Sequence, residues 1–395
     1  MLGKLAPGRE RASDAVLFVG ALAARAAFLA AATRATGVRT LDLALLCDGH
    51  AYLAVAKTLP RLYQGVPAFL PQFSGSEYFT GWFPFYPVLI RAAAVLTGDA
   101  RAAALAVSML ASAAAVLLFR RVAAFFTPRP GAAAAIFVLF PPMWLVAGSL
   151  AFVEPVFLCA FLAAVLAALE DRPWACAGAV AAVLLAQKSG FLVLPVLLAL
   201  RLERRGGAGL RAFWPCLLAL LPLAALQLYL WRVFGDLFVN LHVQRDIFSG
   251  ALFGVPFAAF ARGAFTPSPL GGPLHRALFA LSGASYLAVA AAAWRRGRRE
   301  ERPLLAWLLV VLAFHFSLAG PWAFYSLPRL LLLGAPAALL LALPFLPSGD
   351  WALLGAAALA PVMFCAGLIE AARAAAVTSA AWTPDYLAAA SRILR

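Results

Sequence analysis

Long apolar runs alternate along the chain with short clusters of arginine and with two longer stretches of mixed character. A helix that crosses a bilayer takes about 20 predominantly apolar residues. Runs of that kind predict spans at 14–34, 101–121, 131–149, 150–170, 173–187, 189–201, 211–231, 276–294, 303–319, 328–346 and 350–371. The fourth to sixth are short and crowded. Two stretches, 35–100 and 232–275, are left as long loops. In the first, Leu43, Leu46, Tyr52, Leu53, Val55 and Leu59 form an apolar stripe interrupted by Asp42, Asp48 and Lys57. That pattern predicts an amphipathic helix lying along the membrane surface, and a second such segment is expected over 85–97.

Loop charge orients the bundle. With the N-terminus in the cytoplasm, the basic clusters Arg120–Arg129, Arg201–Arg211 and Arg295–Arg302 all fall inside, together with Lys4, Arg9 and Arg11. Both long loops then fall outside, as the bias of Lys and Arg toward cytoplasmic loops requires. The expectation is one all-α polytopic membrane domain, 1–395, of about eleven transmembrane helices, with interfacial helices in the first extracytoplasmic loop.

Composition agrees. Apolar residues make up 64% of the 395 residues and charged residues 12%, about half the charged share of a soluble domain. The formal net charge of +15 would suggest nucleic acid in a soluble protein. Here the basic residues sit between apolar runs, so the expected partner is anionic lipid and nucleic-acid binding is excluded. Five cysteines without C-x-x-C spacing predict neither a disulfide framework nor a zinc site. Basic residues precede the first apolar run and no small-residue cleavage site follows it, which favours a retained span over a signal peptide. Abundant Ala, Arg, Leu and Gly point to a GC-rich bacterial genome, and so to a bacterial inner (plasma) membrane.

Ionisable side chains near a bilayer are costly and mark candidate sites. In this topology many converge on the outer side: Asp48, His50 and Glu77 in the first loop, Glu154 at the start of the fourth span, and Gln187 and Lys188 in the turn before the sixth. Asp236, Asn240, Arg245 and Asp246 follow the seventh span, and Tyr325 and Arg329 open the tenth. Each has a plainer reading. Asp48 caps or solvates an interfacial helix; His50 is an interfacial aromatic; Glu154, before Pro155, is a helix-start charge; Lys188 snorkels; Arg329 sits at headgroup level. The run Phe83–Pro87 packs and shapes the cavity, Arg25 is paired structurally, and His315 is a buried core histidine. Together, carboxylates and cations at one membrane boundary suit departure of a lipid phosphate, with cations holding the phosphate and a carboxylate taking a proton from the attacking hydroxyl. No nucleotide-binding or metal-binding motif is present, so neither cofactor nor metal is expected.

Several stretches resemble one family in order. Cys47-Asp48-Gly49-His50-Ala51-Tyr52-Leu53-Ala54-Val55-Ala56 resembles the W-D-x-x-x-Y/F-x-x-I-A motif of PIG-V-type mannosyltransferases, and Trp82-Phe83-Pro84-Phe85-Tyr86-Pro87 resembles their F-F-P-x-[FY]-P motif. Val153-Glu154-Pro155-Val156-Phe157 sits where the family has S/T-E-S-x-F, and Gln187-Lys188-Ser189-Gly190 where it has T-R-x-x-G. Tyr229 through Asp236 resembles Y-x-x-F-G-D-P, and Ser326-Leu327-Pro328-Arg329 resembles S-x-P-R-Y. Cys47, Lys188 and Leu330 replace the usual Trp, Arg and aromatic, and the hydroxyls flanking Glu154 are absent.

The resemblance implies a GT-C-type bundle that moves a sugar, mannose in the family, from a polyprenyl-phosphate-linked donor to a lipid, glycan or protein acceptor outside the cytoplasm, with inversion. It implies Asp48 as general base and Glu154 as a catalytic carboxylate orienting acceptor or sugar hydroxyls. Lys188, Arg245 and Arg329 would meet the phosphate, and His50, Tyr52, Trp82, Tyr86, Asp236 and Tyr325 would complete the substrate site. Two other classes fit the same charges: a transporter or lipid flippase, whose site would lie near mid-membrane, and a non-catalytic subunit of a glycosylation complex.

Overall fold

The computed structural model describes residues 7–59, 76–205, 213–247, 252–266, 273–319, 324, 326–345, 362, 365–369 and 371–372. These residues are overwhelmingly helical and form no strand. Helix α1 spans Pro7–Thr36, α2 Gly49–Thr58, α3 Phe85–Thr97 and α4 Ala100–Ala123. The chain continues through α5 (Pro130–Phe137), α6 (Pro142–Ser149), α7 (Glu154–Leu169), α8 (Pro173–Ala186) and α9 (Val193–Arg205). Then follow α10 (Trp214–Leu218), α11 (Leu220–Phe234), α12 (Val239–Ile247) and α13 (Ala258–Phe265). The last are α14 (Pro273–Arg296), α15 (Arg302–Phe316), α16 (Leu327–Leu330) and α17 (Ala335–Ala342).

The chain is an all-helical polytopic membrane protein. Among the described residues, five helical stretches are long and apolar enough to cross a bilayer: Ser13–Thr36, Ala100–Ala123, Trp214–Phe234, Pro273–Arg296 and Leu327–Phe345. The span expected at 131–149 is instead α5 and α6, bent by 68° at a short break. Pro141 ends that break and Pro142 opens α6, and neither can continue the hydrogen-bonding of α5. The expected spans at 150–170, 173–187, 189–201 and 303–319 are present as shorter helices. The eleventh, 350–371, lies mostly outside the described residues.

The centre of the bundle is the α4–α7 pair, against which α1, α3 and α8 pack. Their contact faces are small: Ala103, Ala104, Ala113 and Ala115 on α4, and Ala164, Ala167 and Ala168 on α7, are buried. Lipid is as apolar as a side chain, so close backbone approach between small residues, rather than escape from water, holds such helices together. Outward faces carry exposed apolar side chains such as Val16, Val19, Leu281 and Trp294.

Local chemistry sets the helix ends. The Asp99 carboxylate accepts from the Arg101 and Ala102 amides at 2.7 and 3.3 Å and caps α4. At the other end of α4, Arg120 pairs with Asp14 of α1, favourably placed against the helix dipole. Arg25, fully buried in α1, donates from Nε to Ser112 Oγ at 2.9 Å and from Nη1 to the carbonyl of Val138, and lies over the Trp144 ring. It thus serves a carbonyl released where α5 breaks, which is the structural pairing expected of it, though its partners are a hydroxyl and a carbonyl rather than a carboxylate. His315 is buried, with Nδ1 donating to the Val311 carbonyl at 2.8 Å.

The first loop departs from expectation. Every residue of α2 from Gly49 to Ala56 is buried, so this helix is packed on all sides instead of presenting one polar face. The reason is its composition: between Asp48 and Lys57 it carries no charged residue, and a helix apolar all round is buried. By contrast α3 is two-faced, with Tyr86, Pro87 and Ile90 buried and Val88, Val95 and Leu96 exposed.

Candidate active site

Asp48 precedes α2, and the residues around it permit one backbone path. Cys47 adopts φ 51°, in the left-handed region, and turns the chain into the helix. At Gly49 a Cβ would stand 2.1 Å from the Ala44 carbonyl oxygen, so only glycine fits there. The Asp48 carboxylate accepts from Arg329 Nη1 at 2.6 Å, across 281 residues of sequence. Arg329 Nε lies 3.1 Å from Glu154 Oε1, and its guanidinium stands over the Phe152 ring at 5.5 Å. One guanidinium therefore serves two carboxylates from two other elements.

The members differ in access. The Glu154 side chain is 4% exposed, Arg329 19% and Asp48 31%. Asp48 is the group an incoming molecule meets. Glu154, the first residue of α7 and followed by Pro155, is fixed behind Arg329. A small cavity lined by Glu154, Phe157, Gln187, Ser189 and Arg329 adjoins the cluster.

Lys188 occupies the turn between α8 and α9 and bonds Gln244 of α12. The turn is tight because Gly190 lies against α8, where a Cβ would come 2.5 Å from the Val183 carbonyl. Burial pushes the Lys188 ammonium down to about 7, opposed by the negative charge of Asp48. Burial alone would raise the Asp48 carboxyl, but the charge and hydrogen bond of Arg329 outweigh it and hold Asp48 below its usual value. Asp48 is therefore ionised at neutral pH. Its neighbour His50 is buried, with Nδ1 2.5 Å from the Cys47 carbonyl oxygen. Burial lowers that imidazole to about 4, so it is neutral.

Aromatic side chains wall the cluster. Tyr52 is buried and stands edge-on to Tyr86 at 5.1 Å. Burial, then the charges of Asp48 and Glu154, hold the Tyr52 phenol well above its usual value. The Tyr86 hydroxyl lies 3.0 Å from the Ala104 carbonyl and 2.8 Å from Ser108 Oγ, and Ser108 donates to the Phe152 carbonyl at 2.9 Å. That chain ties α3 and α4 to the segment leading into Glu154. Trp82 is buried beside Tyr78 at 4.7 Å between ring centroids.

The structure thus brings Asp48, Glu154 and Arg329 into contact, with the Lys188 charge acting on Asp48 and His50, Tyr52 and Tyr86 packed close by. It does not bring Asp236 or Arg245 into the cluster. Asp236 bonds His242 at 2.6 Å, and Arg245 pairs with Asp246 at 3.2 Å, both on exposed surface. Tyr325 lies outside the described residues. Sequence reading missed Gln244, Phe152 and Ser108. Of these, only Ser108, a polar residue in an apolar span, carried a signal.

The chain matches no family model and no curated protein. Among solved structures it is similar to ArnT from Cupriavidus metallidurans in the apo state, at 17% identity and a TM-score of 0.48, over 87% of this chain and 71% of that one. It is likewise similar to the same protein bound to undecaprenyl phosphate, at 17% identity and a TM-score of 0.49, over 93% and 76% of the two chains. A likeness of that degree assigns neither activity nor substrate.

Proposed function

We propose that this chain is a GT-C-type membrane glycosyltransferase that takes a sugar, mannose by the motif resemblance, from a polyprenyl-phosphate-linked donor and transfers it to an extracytoplasmic acceptor with inversion. The observation that carries the reading is the convergence of Asp48, Glu154 and Arg329 through contacts of 2.6 and 3.1 Å. These are three of the positions at which the sequence motifs resemble the mannosyltransferase family.

In the proposed reaction, Asp48 takes the proton of an acceptor hydroxyl. The hydroxyl oxygen bonds to the anomeric carbon while that carbon's bond to the phosphate oxygen breaks. The bonding electrons leave on polyprenyl phosphate, and the oxocarbenium character that develops is stabilised by a nearby carboxylate. A carboxylate bound to a guanidinium is a weak base. A donor phosphate competes for Arg329, frees Asp48 and raises its basicity, so the base gains strength when the leaving group is seated. Glu154, buried behind Arg329, keeps the guanidinium in place during that exchange.

Against a transporter stands the placement of the charges. Asp48 precedes α2, Glu154 opens α7, Lys188 lies in a turn and Arg329 is near the start of the Leu327–Phe345 stretch. All are at helix ends, whereas transport sites favour broken helices near mid-membrane.

The direct test supplies membranes containing the chain with radiolabelled polyprenyl-phosphate-mannose. Label passing to an acceptor is expected. Label passing at the rate of membranes lacking the chain, with mannose, glucose and arabinose donors alike, sinks the reading. A second outcome concerns pH. If Lys188 holds the phosphate as an ammonium, raising pH through about 7 removes its charge and the donor KM rises. Lys188→Arg, which stays protonated and restores the residue usual in the resembling motif, should keep the KM flat from pH 6 to pH 9. An identical rise in both proteins would rule Lys188 out as the titrating group.

A further inference from the structure

The Lys188 ammonium lies under a cover made by two outer segments. One is the helical turn Ser76–Gly81; the other is α12, which packs against it. Along α12, Val239, Asn240 and Val243 are buried and Gln244 is half-buried, while Leu241, His242, Arg245 and Asp246 are exposed. Residues three and four apart share a helix face, so Gln244 extends the covered stripe. A Cβ at Gly81 would stand 3.5 Å from Lys188 Nζ and 3.8 Å from Val243 Cγ1, so the turn lies against the ammonium. From within this cover Gln244 Oε1 accepts a hydrogen bond from Lys188 Nζ.

The acceptor is an uncharged amide, and that choice has a chemical consequence. An ammonium has three donors. The bond to Gln244 uses one and fixes a long, flexible side chain before a ligand arrives. It leaves the positive charge unneutralised. The charges that act on Lys188 are those of Asp48, before α2, and Arg329, on α16. In the covering turn Glu77 is exposed and Tyr78 is uncharged. The charged groups of α12 are spent on its exposed side, Arg245 on Asp246 and His242 on Asp236. A carboxylate at position 244 would bond more strongly and cancel the cation. We propose that Gln244 is a positioning residue for the donor: it holds the Lys188 ammonium beside the Asp48–Arg329 cluster while leaving its charge free for the donor phosphate. The inference rests on the glycosyltransferase reading for the identity of that anion, the phosphate of a polyprenyl-linked sugar.

Equilibrium binding of polyprenyl phosphate, which carries no sugar, to the full chain in detergent tests it. Gln244→Glu keeps the side chain's shape and should keep the wild-type thermal transition. It is expected to weaken polyprenyl phosphate binding about tenfold at about pH 6, because the phosphate then competes with a charged hydrogen-bond acceptor. It should also move the loss of affinity with rising pH upward from about 7, since a lysine beside a carboxylate stays protonated to higher pH. A merely structural Gln244 predicts neither change, because the new bond is the stronger one. Arg245→Gln makes the same change of net charge one residue away, on the exposed side, and should bind as wild type does. Wild-type affinity with an unmoved pH midpoint in Gln244→Glu overturns the proposal, and so does an equal loss in Arg245→Gln. Binding that follows these expectations without sugar transfer from any lipid-linked donor would count against the glycosyltransferase reading alone. A wild type that binds no polyprenyl phosphate would remove both.

Discussion

Asp48→Asn is expected to lower sugar transfer by about a hundredfold to ten-thousandfold, the usual worth of a positioned general base, while donor binding stays within a few-fold of wild type. The substitution keeps shape and removes the basic oxygen. Its amide oxygen can still accept from Arg329 Nη1, now 2.6 Å from a carboxylate, and Arg329 keeps its ion pair with Glu154. The side chain is 31% exposed, so the stability cost is small, about 2 kcal/mol. A purely structural role for Asp48 would move thermal stability and leave single-turnover transfer by the folded fraction unchanged. The base role moves transfer and leaves donor affinity nearly intact. Single-turnover measurement with saturating lipid-linked sugar separates the two, and transfer at the wild-type rate by the Asn variant removes Asp48 from the chemistry.

Which parts of this arrangement were legible in the sequence depended on how far apart the interacting residues lie. Helix positions follow from runs of apolar residues, a local property, and most expected spans coincide with helices. The bend between α5 and α6 was also written locally, in Pro141-Pro142, but prolines in membrane helices are tolerated often enough that the run still read as one span. The first-loop helix reads as two-faced in the sequence because Asp42, Asp48 and Lys57 interrupt its apolar stripe. In the structure Asp48 and Lys57 stand near the two ends of α2, Asp42 lies in the preceding turn, and the residues between pack all round.

The site shows the same division. Asp48 and Arg329 each stood in a recognisable motif, but nothing local says that they touch across 281 residues. Asp236 and Arg245 stand on a loop that the sequence assigns to the same outer side as Asp48. Close sequence neighbours, His242 and Asp246, satisfy them instead. The residue of α12 that meets Lys188 is Gln244, adjacent in sequence to Arg245. Successive residues on a helix point about 100° apart, so choosing the neighbour loses the contact.

Arg329→Met is expected to destabilise the protein by about 3–5 kcal/mol and to abolish transfer, because it leaves two carboxylates facing each other without their shared cation. Glu154, with a side chain 4% exposed, cannot recover its charge solvation from water and must take up a proton. Asp48 loses both the contact that orients it and the cation that stabilises its charge. Arg329→Lys supplies one point charge where a planar fork spans two acceptors, so it should recover part of the stability but little of the activity. The decisive variant is Arg329→Met/Glu154→Leu. Replacing a buried pair by apolar groups of similar size is often neutral, so the double variant should regain most of the stability lost by Arg329→Met, read as the thermal transition in detergent. It should still fail to transfer sugar, because no guanidinium then holds the departing donor phosphate or orients Asp48 toward the acceptor hydroxyl. Recovery of both properties together would mean that Arg329 serves packing alone, and the phosphate would have to be held elsewhere.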